Sequence, residues 1–131
     1  MIEWLKSLVK SRPRKDPLGE RGENVAARFL QRAGYKILGR NYRTPVGEID
    51  IIARDGKTLV FVEVKTRATD EPRPEDQITA EKHQITKAAK FYMSRFGTPR
   101  PPARIDVIAI VWPPRCEPIV RHTQSAFEAT F

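Results

Sequence analysis

With one cysteine in 131 residues, the chain cannot close an internal disulfide, and a secreted, disulfide-stapled scaffold is excluded. That residue, Cys116, has no activating base near it in sequence, which argues against thiol chemistry. Histidine is almost as scarce. His83 and His122 have no partner at ligand spacing, so nothing resembles a zinc site. Every apolar run falls short of the roughly 20 residues a membrane-spanning helix requires, and none ends in a small-residue cleavage site. No internal repeat or low-complexity tract is present, which excludes solenoids and arrays. A soluble cytoplasmic protein with no membrane partner is the expectation, and its length suits one domain that buries a core without staples.

Acidic charge is sparse at one end. Residues 1–43 hold eleven Lys or Arg against Glu3, Asp16, Glu20 and Glu23, whereas the remainder holds thirteen against twelve, so nearly all of the net +8 lies in the first third. An excess concentrated in this way fits a polyanion partner, nucleic acid above all. It also fits an ordinary solvated surface, and composition does not decide between them.

The domain reading divides the chain into residues 1–17, an amphipathic segment (Ile2, Leu5, Leu8, Val9) with a basic linker SRPRKDP, and residues 18–131. In the second part, Val25, Ala26, Phe29, Leu30 and Ala33 form a helical stripe over Gly19–Gly34, with Gly34 as C-terminal cap. Glu23 belongs to that stripe and points inward, although a first-turn Glu also serves the helix dipole. Tyr35–Tyr42 reads as a strand. Asp55-Gly56-Lys57 then joins two further strands as a hairpin. A helix over Ile78–Phe96 follows, with Lys82 on its apolar face, then a strand in RIDVIAIVW and a short one near Ile119–His122, with QSAFEATF as a tail packed on the sheet. The eleven prolines fall between these elements or near the N-terminus. Helix, three strands, helix and strand give an α/β domain whose mixed sheet is flanked by helices.

The hairpin, GEIDIIARDGKTLVFVEVKTR, places Glu48, Asp50, Glu63 and Lys65 within otherwise apolar runs. Side chains alternate along a strand. If Arg54 pairs with Leu59, Asp50 lies opposite Glu63 and Glu48 opposite Lys65, leaving Ile49, Ile51 and Ala53 on the other face. Opposed carboxylates repel. A divalent cation reverses that effect, and Mg²⁺ takes one or two carboxylates plus waters and phosphate oxygens. Asp50 and Glu63 supply such ligands, Lys65 can offset developing charge, and Glu23 can orient water or metal. The chemistry is metal-assisted phosphodiester hydrolysis; a salt-bridged, solvated sheet face accommodates the same residues.

Asp50, Glu63 and Lys65 have the spacing of the PD-(D/E)xK nuclease signature. LGERGENVAARFLQRAGYKIL, NYRTPVGEIDIIARD and LVFVEVKTR, followed by the helix around Lys82 and the RIDV and SAF segments, resemble the bacterial YraN family over roughly Leu18 to Phe127. That family is endonuclease-like and distantly similar to archaeal Holliday junction resolvases. The resemblance implies a restriction-endonuclease-like α-β-β-β-α-β core and a Mg²⁺-dependent nuclease, with Mn²⁺ as a substitute. It implies DNA as partner, branched or junction DNA included, and raises a homodimer. By resemblance, Glu23, Asp50, Glu63 and Lys65 are catalytic, with Asp50 and Glu63 binding metal and Glu48, Gln77 and Lys82 in support. Ile49 stands where the wider signature has proline, as in the YraN form GEID. A nucleic-acid-binding module that keeps the fold without catalysis is the alternative. Asp106 either approaches the site or pairs with Arg104 or a helix residue, and Trp4, Tyr42, Tyr92 and Trp112 are packing residues before they are base-stacking ones.

Overall fold

A computed structural model describes residues 16–131, so the expectations for the amphipathic segment and most of the basic linker lie outside the described residues. Helix α1 (Pro17–Arg32) is followed by strands β1 (Lys36–Thr44), β2 (Gly47–Asp55) and β3 (Thr58–Arg67). A 3₁₀ turn (Pro74–Gln77), helix α2 (Ala80–Met93) and strands β4 (Ala103–Val111) and β5 (Ile119–Phe127) complete the order. The five strands form one sheet in sequence order. Only β3 and β4 are parallel, because only they are joined by a helical crossover; the other neighbours are antiparallel. This is the mixed α/β, restriction-endonuclease-like core expected from the sequence.

Helix α1 begins at Pro17, ahead of the expected Gly19. Asp16 caps it by accepting the Gly19 N–H at 2.6 Å, and Pro17 tolerates the first helical position, where no N–H is needed. It ends where expected: Gly34 takes φ +92°, and the Gly34 and Tyr35 N–H groups bond to the Gln31 and Leu30 carbonyls. Leu30, Ala26, Ile51, Val60, Val62 and Ile108 bury one sheet face beneath α1. On the opposite face Ile52, Phe61, Ile105, Ile85, Ala89 and Met93 pack beneath α2. Each fully buried large side chain in these layers, Phe61 for example, contributes roughly 1.5–3 kcal/mol.

Other features differ from expectation. The second helix is shorter than Ile78–Phe96, because Pro74–Gln77 forms a separate 3₁₀ turn and Thr79 leaves the helical region. Lys82 is exposed rather than on the apolar face, with its ammonium 5.5 Å from the Phe127 ring centroid. The last strand runs to Phe127 instead of stopping at His122: a register shift between Ile105 and Val107, with Ser125 at φ +49°, carries it past the polar residues. Of the expected tail, Ala129 and Phe131 pack against the α2-side core.

Candidate functional site

The β2–β3 hairpin fixes the site. Its turn pairs Asp55 with Thr58 and Arg54 with Leu59, the register favoured by the sequence, and the ladder runs as far as Ile51 with Val62. Beyond that the expected pairing changes. Asp50 Oδ2 accepts the Val64 N–H at 2.9 Å, so a carboxylate takes a position where the ladder would offer a backbone carbonyl. The expected single face of Ile49, Ile51 and Ala53 is also interrupted. Ile51 and Ala53 pack on the α1 side, whereas Ile49 packs with Ile52 on the α2 side. Opposite this break, Asn41 of β1 adopts φ +52°. Strict alternation fails there because an irregular pair, not a regular one, positions Asp50.

At this end of the sheet a cleft of about 210 Å³ is lined by Asp16, Glu23, Asp50, Glu63, Lys65 and Glu81, together with Gly19, Val64, Thr66 and Arg67. The four residues expected to be catalytic therefore share one cleft. Glu23, Asp50 and Glu63 are 2%, 2% and 3% exposed, an expensive setting for carboxylates without compensating charge or hydrogen bonds. Glu23 reaches the cleft from the first turns of α1, where Gly22 lets the helix backbone press against Thr66 of β3. Arg40 of β1 approaches Glu23 Oε1 at 3.7 Å.

Lys65 Nζ donates to Glu81 Oε1 at 3.2 Å, and Glu81 Oε2 accepts the Thr79 N–H at 3.1 Å. Burial pushes the Glu81 carboxyl up, but its backbone hydrogen bonds and the Lys65 ammonium outweigh that and hold it below the ordinary glutamate value. Glu81 thus ties Lys65 to the first turn of α2. Sequence reasoning missed it. The Glu81-Lys82 pair drew attention to the lysine, and nothing local distinguishes Glu81 from a solvated first-turn acid.

The three supporting residues lie elsewhere. Glu48 is buried on β2 with Arg43 of β1 at 3.8 Å. Gln77 lies beside the cleft, its Oε1 accepting from Arg67 Nε at 3.3 Å. Lys82 faces Phe127. Among the described residues no three His, Cys, Asp or Glu side chains converge to hold a metal ion; the cleft supplies the pair Asp50 and Glu63.

A second polar cluster lies on the α1 side of β4 and β5. Asp106, fully buried, accepts from Arg104 Nε at 3.0 Å and the Ser125 N–H at 2.9 Å, and lies 2.8 Å from His122 Nε2. An ionised carboxylate only accepts, so His122 Nε2 carries the proton. Burial pushes the Asp106 carboxyl up, but His122, Ser125 and Arg104 together hold it below the usual aspartate value. His122 also packs edge-on against Phe29 and Tyr35. His122 thus has a carboxylate partner far from it in sequence, and of the roles open to Asp106 the structure takes the ion pair with Arg104. Cys116 is an exposed free thiol. No helix among the described residues is long and apolar enough to cross a membrane.

Residues 22–110 match the family described as "Uncharacterised protein family UPF0102". The chain is 48% identical to a UPF0102 protein of Geobacter sulfurreducens over 116 residues, covering 87% of this chain and 91% of that one. Against a UPF0102 protein of Geotalea uraniireducens it is 42% identical over 127 residues, covering 94% and 100%. A third, from Symbiobacterium thermophilum, is 44% identical over 114 residues, covering 86% and 97%. The matched span includes Glu23, the whole β2–β3 hairpin and Glu81, and with it the chain belongs to the UPF0102 family, the YraN family that its motifs resemble.

Proposed function

We propose that the chain is a Mg²⁺-dependent nuclease that hydrolyses phosphodiester bonds in DNA, with Mn²⁺ able to substitute and with branched or junction DNA as the substrate form the resemblance suggests. The observation that carries this reading is the charge of the cleft. Five carboxylates (Asp16, Glu23, Asp50, Glu63 and Glu81) line it against two cations, Lys65 and Arg67. A phosphodiester is repelled from such a lining unless a cation enters with it. The donor set suits a hard ion: Asp50 and Glu63 are buried oxygen ligands, and the lining has neither Cys nor His. Two carboxylates are enough, because Mg²⁺ keeps several waters and takes substrate oxygens.

When bound, the metal supplies Lewis-acid polarisation of the phosphoryl group and a water acidic enough to act as nucleophile. The chain's own groups do the rest. Lys65, kept at the cleft by Glu81, exchanges that carboxylate for the phosphoryl oxygens on which negative charge grows. Glu23, entering from α1, orients the attacking water. Asp50, which lines the cleft, is held by the Val64 N–H, so its carboxylate is oriented without a rotamer search.

The same contacts favour a second reading, in which Lys65–Glu81 and Asp50–Val64 are structural and the chain binds nucleic acid without cutting it. Purified protein incubated with linear, single-stranded and four-way DNA in Mg²⁺ or Mn²⁺ separates the two. The nuclease reading expects cleavage lost in Asp50→Asn, which can keep an acceptor for Val64, and Mn²⁺ binding by calorimetry lost in Glu63→Gln. Absence of cleavage above the Asp50→Asn control on every substrate rejects it. Binding indifferent to divalent ions then establishes the alternative. A homodimer belongs to the same proposal and is read by light scattering of the full chain.

A further inference from the structure

We propose that Arg67 is a docking residue for the nucleic-acid phosphate next to the one held at Lys65, and that Gln77 is the residue that positions it. The inference rests on the reading of the cleft as a phosphodiester site, and it assigns the cleft's second cation.

Glu63, Lys65 and Arg67 occupy alternate positions of β3. Lys65 and Arg67 are therefore about 6.6 Å apart along one strand face, which lets two cations meet successive phosphates of one chain. Both line the cleft. Their partners differ in kind. Lys65 is neutralised by Glu81. Arg67 bonds only neutral acceptors among the described residues: Nε donates to Gln77 Oε1 at 3.3 Å, and one terminal nitrogen to the Thr66 carbonyl at 2.7 Å. A guanidinium has five N–H donors, so three remain for a ligand, and Arg67 makes no direct ion pair among the described residues. Of the thirteen arginines among the described residues, five (Arg40, Arg43, Arg73, Arg104 and Arg121) have a carboxylate within 4.0 Å; what sets Arg67 apart from the other unpaired ones is its place in the cleft lining.

Gln77 is itself held. Its Nε2 donates to the Pro72 carbonyl at 3.0 Å, which fixes the amide so that the oxygen faces Arg67. The loop carrying it is fastened to β5, because Arg121 binds both Asp70 and Glu75 at 2.6 and 2.8 Å. A side chain oriented by neutral acceptors on an anchored loop, with its charge left unpaired at the mouth of a cleft, is built to receive an anion of planar, bidentate geometry.

The test is fluorescence anisotropy of the full chain with a labelled DNA duplex in Ca²⁺, across a NaCl series, with the duplex checked intact afterwards. Each phosphate contact contributes about 0.9 to the slope of log affinity against log salt. Arg67→Gln should lower the slope by about that amount, so its deficit against wild type shrinks about threefold between 50 and 200 mM salt. Gln77→Glu provides a readout that a merely structural role does not move. It pairs Arg67 with a carboxylate, so thermal stability should hold or rise while the same slope is lost. An unchanged slope in folded Arg67→Gln, or a wild-type slope in Gln77→Glu, overturns the inference even if the protein cuts DNA. Loss of slope in the variants, with a wild type that binds but never cuts, leaves the inference standing and removes the nuclease reading. Failure of wild type to bind the duplex overturns both.

Discussion

Gly22 is where helix α1 touches the sheet, and replacing it with alanine tests the packing and the site together. A Cβ there falls onto Thr66 Oγ1 and lies 2.8 Å from Thr66 Cβ and 2.9 Å from Cγ2. Rotating Thr66 relieves Oγ1 and Cγ2 but not Cβ, which is fixed to the β3 backbone, so helix and strand must separate. Alanine gains about 1 kcal/mol in helix propensity over glycine. Overpacking a filled site costs about 1–3 kcal/mol, and Thr66 is only 6% exposed, so a net loss of up to about 2 kcal/mol is expected. Urea unfolding should show a lower midpoint at unchanged slope. Because all three close atoms belong to Thr66, the double variant Gly22→Ala/Thr66→Gly should recover stability relative to the sum of the singles by about 1 kcal/mol or more. Glu23 is the next residue, so Gly22→Ala should also reduce any metal-dependent cleavage more than its stability loss explains. Wild-type or greater stability in Gly22→Ala, with no coupling to Thr66, would show that the helix does not rest on β3 at this point.

Two further expectations concern carboxylates that hold the fold. The Arg121 guanidinium holds the Glu75 carboxyl at about 2, below its ordinary 4.5, so the loop-fastening pair adds stability above pH 4.5 that is lost as pH falls toward 2; thermal melts from pH 6 to 2 should show a steeper decline for wild type than for Glu75→Gln. Asp106→Ala removes the acceptor of Arg104, His122 and the Ser125 N–H at once, and breaking a buried ionic network of this kind should cost about 3–5 kcal/mol, read by urea unfolding at neutral pH; a loss under 1 kcal/mol would mean that water enters and replaces the carboxylate.

The hairpin was legible because its signals are local: Asp55-Gly56 sets the turn, and period-two apolar residues set the register from Arg54–Leu59 to Ile51–Val62. The grouping of Glu23, Asp50, Glu63 and Lys65 was also legible, since an inward Glu on a helix and an E-x-K on a strand are directional features. The break at Asp50 was not. It lies opposite Asn41, which adopts φ +52° on a different strand, a left-handed conformation that a short polar side chain tolerates but does not announce. Glu81 and His122 failed for the same reason: their partners, Lys65 and Asp106, lie 16 residues away across the fold. Arginine charges were least legible of all. Arg67 and Arg121 look alike in sequence, yet one bonds neutral acceptors and the other two carboxylates.

The chain carries a net charge of +8, yet the cleft that gathers its inward carboxylates is lined by five acidic and two basic side chains. These facts act at different ranges. Net charge raises the local concentration of a polyanion over roughly a Debye length, about 8 Å at physiological ionic strength. The cleft acts at contact, where buried carboxylates are poorly screened and repel a phosphate strongly. On the proposed reading a nucleic acid is therefore attracted to the molecule as a whole but admitted to the cleft only with a divalent cation. Arg67 at the cleft and Lys65 on Glu81 then divide the work: one receives a neighbouring phosphate with no direct ion pair to break, while the other exchanges an internal carboxylate for the phosphoryl oxygens. That division explains why two cations on one strand face have partners of opposite kind, and it ties the acidic lining to the basic composition without requiring either to be incidental.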